Sequence, residues 1–244
     1  MDAPLRIEVN AFTHQGRHRP ENEDSITVAG WVSDVALSGP RRSRHEFEDP
    51  LLLAVADGMG GHAAGEVASR YAVKRLAAAS FVGGALDVAA TLNAINGELY
   101  HSMAAAPALQ GMGTTVAGLV LTPGRAIWFN VGDSRVYRHV DGRLTQLSVD
   151  DVPPGARSGM ITQSLGGSTA FIPVSPHIGD DDLAVPSRWL LCTDGLTDML
   201  SVDEIGRAMA NADAEAVRQL FIQAMDAGGY DNISIIVASI HAAS

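Results

Sequence analysis

The chain holds a single cysteine, Cys192, among 244 residues. No internal disulfide can form, and the count suits a reducing compartment. Long apolar runs are missing too. None approaches the roughly 18 residues that a membrane helix needs, and the N-terminal MDAPLRIEVN has no signal-peptide core. Positive charge is scarce: 17 Lys and Arg face 28 Asp and Glu, a net charge of −11. That balance argues against nucleic acid and anionic membranes as partners and favours basic protein surfaces. Repeats and low-complexity linkers are absent. With 46% hydrophobic and 18% charged residues, there is ample material for a core. These absences predict a water-soluble, cytoplasmic globular protein.

Hydrophobic periodicity then divides the chain. Arg6 to Phe12 and Ser25 to Val28 alternate as two early strands. Ser38 to Asp49 is charged and reads as an exposed loop before the buried run Leu51 to Ala56. Ala64, Ala68, Ala72, Leu76 and Ala79 form a narrow helical stripe, and Val88, Leu92, Ile95, Leu99 and Met103 form another. The period then changes, and Thr114 to Leu121, Ala126 to Val131 and Arg135 to His139 read as strands joined by short turns. Trp189 to Thr193 is a further buried strand, and Ser201 with Glu204 predicts a capping box. Val217, Leu220, Phe221, Ala224 and Met225 mark a last helix before a last strand, Ile233 to Ile240. Strands in succession with helices in pairs indicate an α+β protein of largely antiparallel sheets covered by helices.

One stretch, LLAVADGMGGHAAGE (52–66), ends an apolar run at a carboxylate beside glycines. Gly58, Gly60 and Ala63 match a dinucleotide fingerprint, but Asp57 would repel a pyrophosphate. No acidic residue lies between Ser69 and Phe81, where one is expected. A simple Asp-Gly turn and a hard-metal site remain as alternatives. The pattern recurs: Asp133 follows AIWFNVG, Asp194 follows WLLCT, Asp231 opens the last strand, and Glu23 and Asp24 precede the second. Several carboxylates gathered at one end of a sheet need cations to offset their repulsion. The all-oxygen set selects Mg²⁺ or Mn²⁺, and a bridged pair of such ions activates water for displacement at phosphorus.

Seven segments extend this reading: GRHRPENEDS (16–25), VADGMGGHAAGE (55–66), GTTVAGLVL (113–121), NVGDSRVYR (130–138), ITQSLGG (161–167), CTDGLTD (192–198) and DNISIIV (231–237). In this order they resemble the metal-dependent serine/threonine protein phosphatases of type 2C, in their bacterial form. The resemblance implies a four-layer α-β-β-α sandwich with two central, mostly antiparallel sheets, formed by residues 1–244 as a single catalytic domain. It implies attack of a metal-bridging water on phosphoserine or phosphothreonine at a binuclear Mn²⁺ or Mg²⁺ centre, reversing a partner kinase. Asp57 would bridge the two ions, with the Gly58 carbonyl on one. Asp194 and Asp231 would hold the first ion, and Glu23 and Asp24 would support the second, directly or through water. Asp133, with Asp194, would form a weaker third site, and Arg19 would grip the substrate phosphate. Phosphorylated proteins and a cognate kinase are the implied partners of a monomer.

Three departures from the family pattern stand out. His14 replaces an acidic residue two positions before Gly16. Met59 occupies the place of the suspected general acid of eukaryotic members, leaving His62 as a candidate acid or as a structural helix-start residue. The flap is cut to 13 residues, Ser148 to Met160. Its VDDVPPGARSG predicts a short, rigid loop beside an open cleft, with Asp150 and Asp151 facing basic residues of a substrate. Rival chemistries fit poorly. A cysteine phosphatase needs an arginine six residues after its nucleophile, where Cys192 is followed by Asp198. The Asp180–Asp182 pair is followed by Ala184, not the Thr or Val of an aspartyl-phosphate enzyme. An inert phosphoprotein-binding relative is the alternative outside catalysis.

Overall fold

The computed structural model describes residues 5–33, 35–47, 49–59, 63–155 and 159–242. Two six-stranded sheets form its centre. One holds, in spatial order, Arg143–Gln146 (β11), Arg135–Val140 (β10), Ser187–Cys192 (β14), Ile233–Ala242 (β15), Leu5–His14 (β1) and Arg41–Phe47 (β4). The other holds His177–Asp182 (β13), Arg125–Val131 (β9), Val116–Thr122 (β8), Leu51–Ala56 (β5), Ser25–Val28 (β2) and Trp31–Ser33 (β3). A small third sheet joins Leu165–Gly166 (β12), Gly113–Thr114 (β7) and Gly58–Met59 (β6). The pairings within these sheets are antiparallel, as the succession of strands and short turns predicts.

The strand sequences explain the layering. All six residues of β5 are buried. Leu51, Leu53 and Val55 point into the core between the sheets, against Ile7, Trp189 and Ile236. Leu52 and Ala54 point the other way, beneath helices Ala63–Ala77 (α1) and Ala85–Ala105 (α2). A strand covered on both faces needs no polar alternation, which is why this run reads as uniformly apolar. The alanine stripe of α1 lets that helix lie close to the sheet. Ala79 lies past the end of α1 and packs against the same core. On the far side, Phe12, Leu190 and Val237 meet Val202–Met209 (α4) and Asp213–Asp226 (α5) through Ile205 and Leu220. The layers therefore run helix, sheet, sheet, helix. Among the described residues no helix is long and apolar enough to cross a membrane.

Two sequence expectations are corrected. Within Ser38 to Asp49, read as a loop, Arg41–Phe47 forms the edge strand β4 beside β1. Its charges are compatible with strand structure because an edge leaves side chains in water. Arg44 donates to Glu8 across the pair at 2.7 Å, and the Arg41 guanidinium lies 4.3 Å from the Trp31 ring centre. The expected single strand from Thr114 to Leu121 breaks at Thr115, for a reason that emerges at the site below.

The Ser201 capping box is present: the Ser201 N–H donates to Glu204 at 2.8 Å and the Glu204 N–H faces the Ser201 hydroxyl. Ser201→Ala removes an acceptor for the first turn of α4 and is expected to cost about 1 kcal/mol of stability. Urea denaturation checks this, and an unchanged midpoint would show that the cap contributes nothing.

Candidate active site

Antiparallel pairing decides where the carboxylates go. Ser25 pairs with Ala56, Val116 with Val131, Cys192 with Ile235 and His14 with Ile233. Each pairing sets the end of one strand beside the start of its neighbour. Asp57, Asp133 and Asp194 come just after β5, β9 and β14, while Glu23, Asp24 and Asp231 come just before β2 and β15. All six therefore collect at one end of the sandwich, across both sheets. There a cleft of 620 Å³ is lined by Arg19, Glu23, Asp57, Asp133, Asp194 and Asp231, among others.

The cleft wall is built with little slack. The Asp57 carbonyl accepts from the Thr115 N–H at 2.9 Å and from the Thr114 hydroxyl at 2.8 Å. The Asp57 N–H donates to the Thr115 hydroxyl at 3.2 Å. This is why the strand breaks: Thr115 leaves the ladder to grip Asp57. Gly58 must be glycine, because a Cβ there would meet the carbonyls of Gly65 and Glu23. Gly16, at φ +75°, turns where a Cβ would run into the Asp231 carbonyl. His14, the first departure, accepts from the Gly16 N–H through Nδ1 at 3.0 Å and packs on Phe221. It supports that turn as a neutral ring, and burial lowers its pKa.

Electrostatics single out the same residues. Burial pushes the Asp57 carboxyl well above its ordinary value, and the charges of Asp194 and Asp24 add to the shift. Burial and the Asp133 charge raise Asp194 to about 8. Asp133 rises to about 6, chiefly through burial. Asp24 is fully buried behind the wall, where Ser234 and Thr193 donate to Oδ2 at 2.6 and 2.9 Å; burial outweighs them and raises it to about 7. The buried Oδ1 atoms of Asp24 and Asp194 have no hydrogen-bond partner. Arg19 offsets part of the charge: its Nη2 donates to Asp231 Oδ2 at 2.6 Å. That arginine, read from the sequence as a phosphate grip, thus rests on one of the expected metal ligands. Among the described residues no group of three or more His, Cys, Asp or Glu side chains is drawn together closely enough to hold a metal ion as it stands. His62 lies outside the described residues.

The structure adds residues that the sequence did not flag. Asn232, buried, accepts from the Glu23 N–H at 2.8 Å and donates to the carbonyls of Gln15 and Glu21, each at 2.9 Å. It thereby sets the Arg19–Asp24 loop against β15. Its position beside Asp231 was the one available signal. Asp150 and Asp151 are corrected. They do not await a basic substrate. Asp150 takes a fork of hydrogen bonds from Arg135 at 2.7–3.1 Å, and Asp151 is buried with internal donors. Cys192 is fully buried, with its thiol pushed up to about 12, which removes it as a nucleophile.

The protein phosphatase 2C model matches residues 42–228. The chain belongs to the protein phosphatase 2C family. It is 35% identical to the serine/threonine protein phosphatase PstP of Mycobacterium tuberculosis over 97% of its own length, and it spans 45% of that relative. It is 28% identical to the protein phosphatase PhpP of Streptococcus pneumoniae, covering 96% of this chain and 98% of that protein. The solved catalytic domain of PstP, in complex with two manganese ions, superposes with a TM-score of 0.79 at 32% identity, covering 97% of this chain and 99% of that one. The type 2C sandwich expected from the motifs is therefore the fold observed.

Raised carboxyl pKa values carry a stability cost with a definite sign. A carboxyl that holds its proton more tightly folded than unfolded takes up protons on folding between the two pKa values, so stability falls as pH rises through that window. With Asp24 at about 7 and Asp194 at about 8, the window runs from the ordinary carboxylate range up to about pH 8. In EDTA, Tm is expected to fall between about pH 5 and about pH 8, and Asp57→Asn is expected to flatten the fall. A Tm that climbs over this range in the wild-type chain would refute the account.

Proposed function

We propose that this chain is the catalytic unit of a metal-dependent phosphatase acting on phosphoserine and phosphothreonine in proteins. The observation that carries the reading is the convergence of Glu23, Asp57, Asp133, Asp194 and Asp231, from strand ends of both sheets, on one cleft with Arg19 at its wall. The residues fit hard divalent cations. Their donors are oxygens, burial and neighbouring charge raise the pKa values of Asp57, Asp133 and Asp194, and Asp194 presents a buried oxygen without a partner. Asp57, Asp194 and Asp231 would hold one Mn²⁺ or Mg²⁺. Asp57, Glu23 and the Gly58 carbonyl would hold a second. Asp24 would act from behind through its buried carboxylate, and Asp133 with Asp194 would serve a weaker third ion. Bound there, such ions supply an activated water and neutralise charge on the phosphoryl group.

The remaining work falls to the chain's own residues. Arg19 is half exposed and sits on a loop, so its guanidinium can exchange Asp231 for phosphoryl oxygens at the same wall. Thr115 and Asn232 keep the ligand-bearing loops from shifting, which matters because a small misplacement of reacting groups costs rate steeply. His62 is the candidate proton donor to the leaving alkoxide. The natural substrates would be phosphoproteins made by a cognate kinase, approached by a monomer whose catalytic domain spans residues 1–244.

Activity on a phosphothreonine peptide is expected to vanish in EDTA and return with Mn²⁺. Asp57→Asn should lose bound metal, read by calorimetry, together with turnover. Arg19→Ala should keep its metal but lower kcat/KM by about 2–3 kcal/mol equivalent. Metal-independent turnover would overturn the reading of the cleft, and unaltered kinetics of Arg19→Ala would return that residue to a solvated role.

A further inference from the structure

The flap is short, yet its base is held from many directions. Asp151 lies at the centre and is only 7% exposed. Its Oδ2 accepts from the Gly132 N–H at 2.8 Å, and Asp133 follows directly in the chain. Its Oδ1 accepts from Gln163 Nε2 at 2.8 Å and faces His177 Nε2 at 2.9 Å. Its backbone repeats the pattern. The Asp151 N–H donates to the Gly132 carbonyl at 3.0 Å, and the Asp151 carbonyl accepts from the Thr162 N–H at 2.7 Å. Gln163 is fixed in turn, since its Oε1 accepts from the Ser175 N–H at 2.8 Å. One buried carboxylate thus joins the Gly132–Asp133 turn, both ends of the flap and the start of β13.

The bond from Thr162 to Asp151 ties the two described limbs of the flap, residues 152–155 and 159–161, together at their base. The far limb of that loop reaches the catalytic cleft, where Gly159 and Ile161 form part of the lining. Its described side chains are apolar rather than charged. Val152 and Met160 are exposed, and Ile161 is half-buried at the cleft. The two acidic residues at its base are consumed internally by Arg135, Gly132, Gln163 and His177.

We propose that Asp151 is a positioning residue that fastens this loop to the Asp133 turn, so that Ile161 stands at the cleft as an apolar wall favouring a bulky apolar residue next to the phosphorylated Ser or Thr. The inference rests on the phosphatase reading. A cross-link at the base of the loop reduces the number of conformations that must be frozen when a peptide binds. Asp151 touches neither substrate nor reacting atoms, so its effect should appear mainly in KM.

The test uses the Mn²⁺-loaded full chain with p-nitrophenyl phosphate and two phosphothreonine peptides, one flanked by Leu and one by the uncharged polar Asn. The wild-type chain is expected to favour the Leu peptide by about tenfold in kcat/KM, and Ile161→Ser to abolish that preference. Asp151→Ala is expected to raise KM for the Leu peptide about tenfold while lowering kcat less than threefold, with Asp151→Asn between it and the wild type. Equal efficiencies on both peptides in an active wild-type chain would overturn the proposal. So would an Asp151→Ala variant that loses kcat on all three substrates alike with KM unchanged. If Asp151→Ala does not fold, the Ile161→Ser variant decides alone. A wild-type chain inactive on every ester would instead overturn the phosphatase reading beneath it.

Discussion

Repulsion among carboxylates at the shared strand ends is the constraint on which the rest of this structure depends. Burying several Asp side chains at one place is unfavourable unless hydrogen bonds and cations compensate. Much of the local construction can be read as that compensation. Thr193 and Ser234 donate to Asp24, the Asn232 N–H donates to Asp231, and Arg19 lies on Asp231. What remains uncompensated, chiefly on Asp57 and Asp194, is the part that suits a hard divalent cation. Stability and function thus pull against each other at this end of the sandwich, as they commonly do where a site needs buried charge.

The sandwich makes that concentration tolerable. Its three apolar layers, one between the sheets and one beneath each pair of helices, lie along the bodies of the strands. The charged cluster lies beyond their ends, so the core need not absorb it. Antiparallel order supplies the geometry without cost, because strand ends and strand starts alternate along each edge. A polar second layer then fixes the loops. Asn232 holds the Arg19–Asp24 segment, Thr115 holds Asp57, and Asp151 holds the flap and the Asp133 turn. Each joins parts of the chain far apart in sequence, which is what permits a site to be rigid while made of turns.

Membership of the type 2C family accounts for the common frame, and the departures show where this chain goes its own way. His14 stands where an acid is usual, yet it still serves the Gly16 turn, as a neutral acceptor packed on Phe221. The base of the flap is cross-linked through Asp151 to Gly132, Gln163 and His177. The edge strand β4 carries arginines in an otherwise acidic molecule, and two of them are engaged, Arg44 with Glu8 and Arg41 over Trp31.

The sequence by itself determined whatever depends on local chemistry and periodicity. The buried run of β5, the helical stripes of α1 and α2, the Ser201 capping box and the positions of Asp57, Asp133, Asp194 and Asp231 at strand ends were legible because a few neighbouring residues settle each of them. Only the tertiary structure decided the rest. It turned the charged segment 41–47 into an edge strand, because β1 offered it a ladder. It broke the strand at Thr115, because Asp57 needed donors. It buried Asp151 and paired Asp150 with Arg135, although adjacent aspartates in a proline-containing loop read as solvent-facing. It also set Arg19 on Asp231 across an interval that no motif spans. The physical reason is the same throughout. A hydrogen bond or ion pair between distant segments depends on which surfaces the fold brings together, and that information resides in packing rather than in any local pattern of residues.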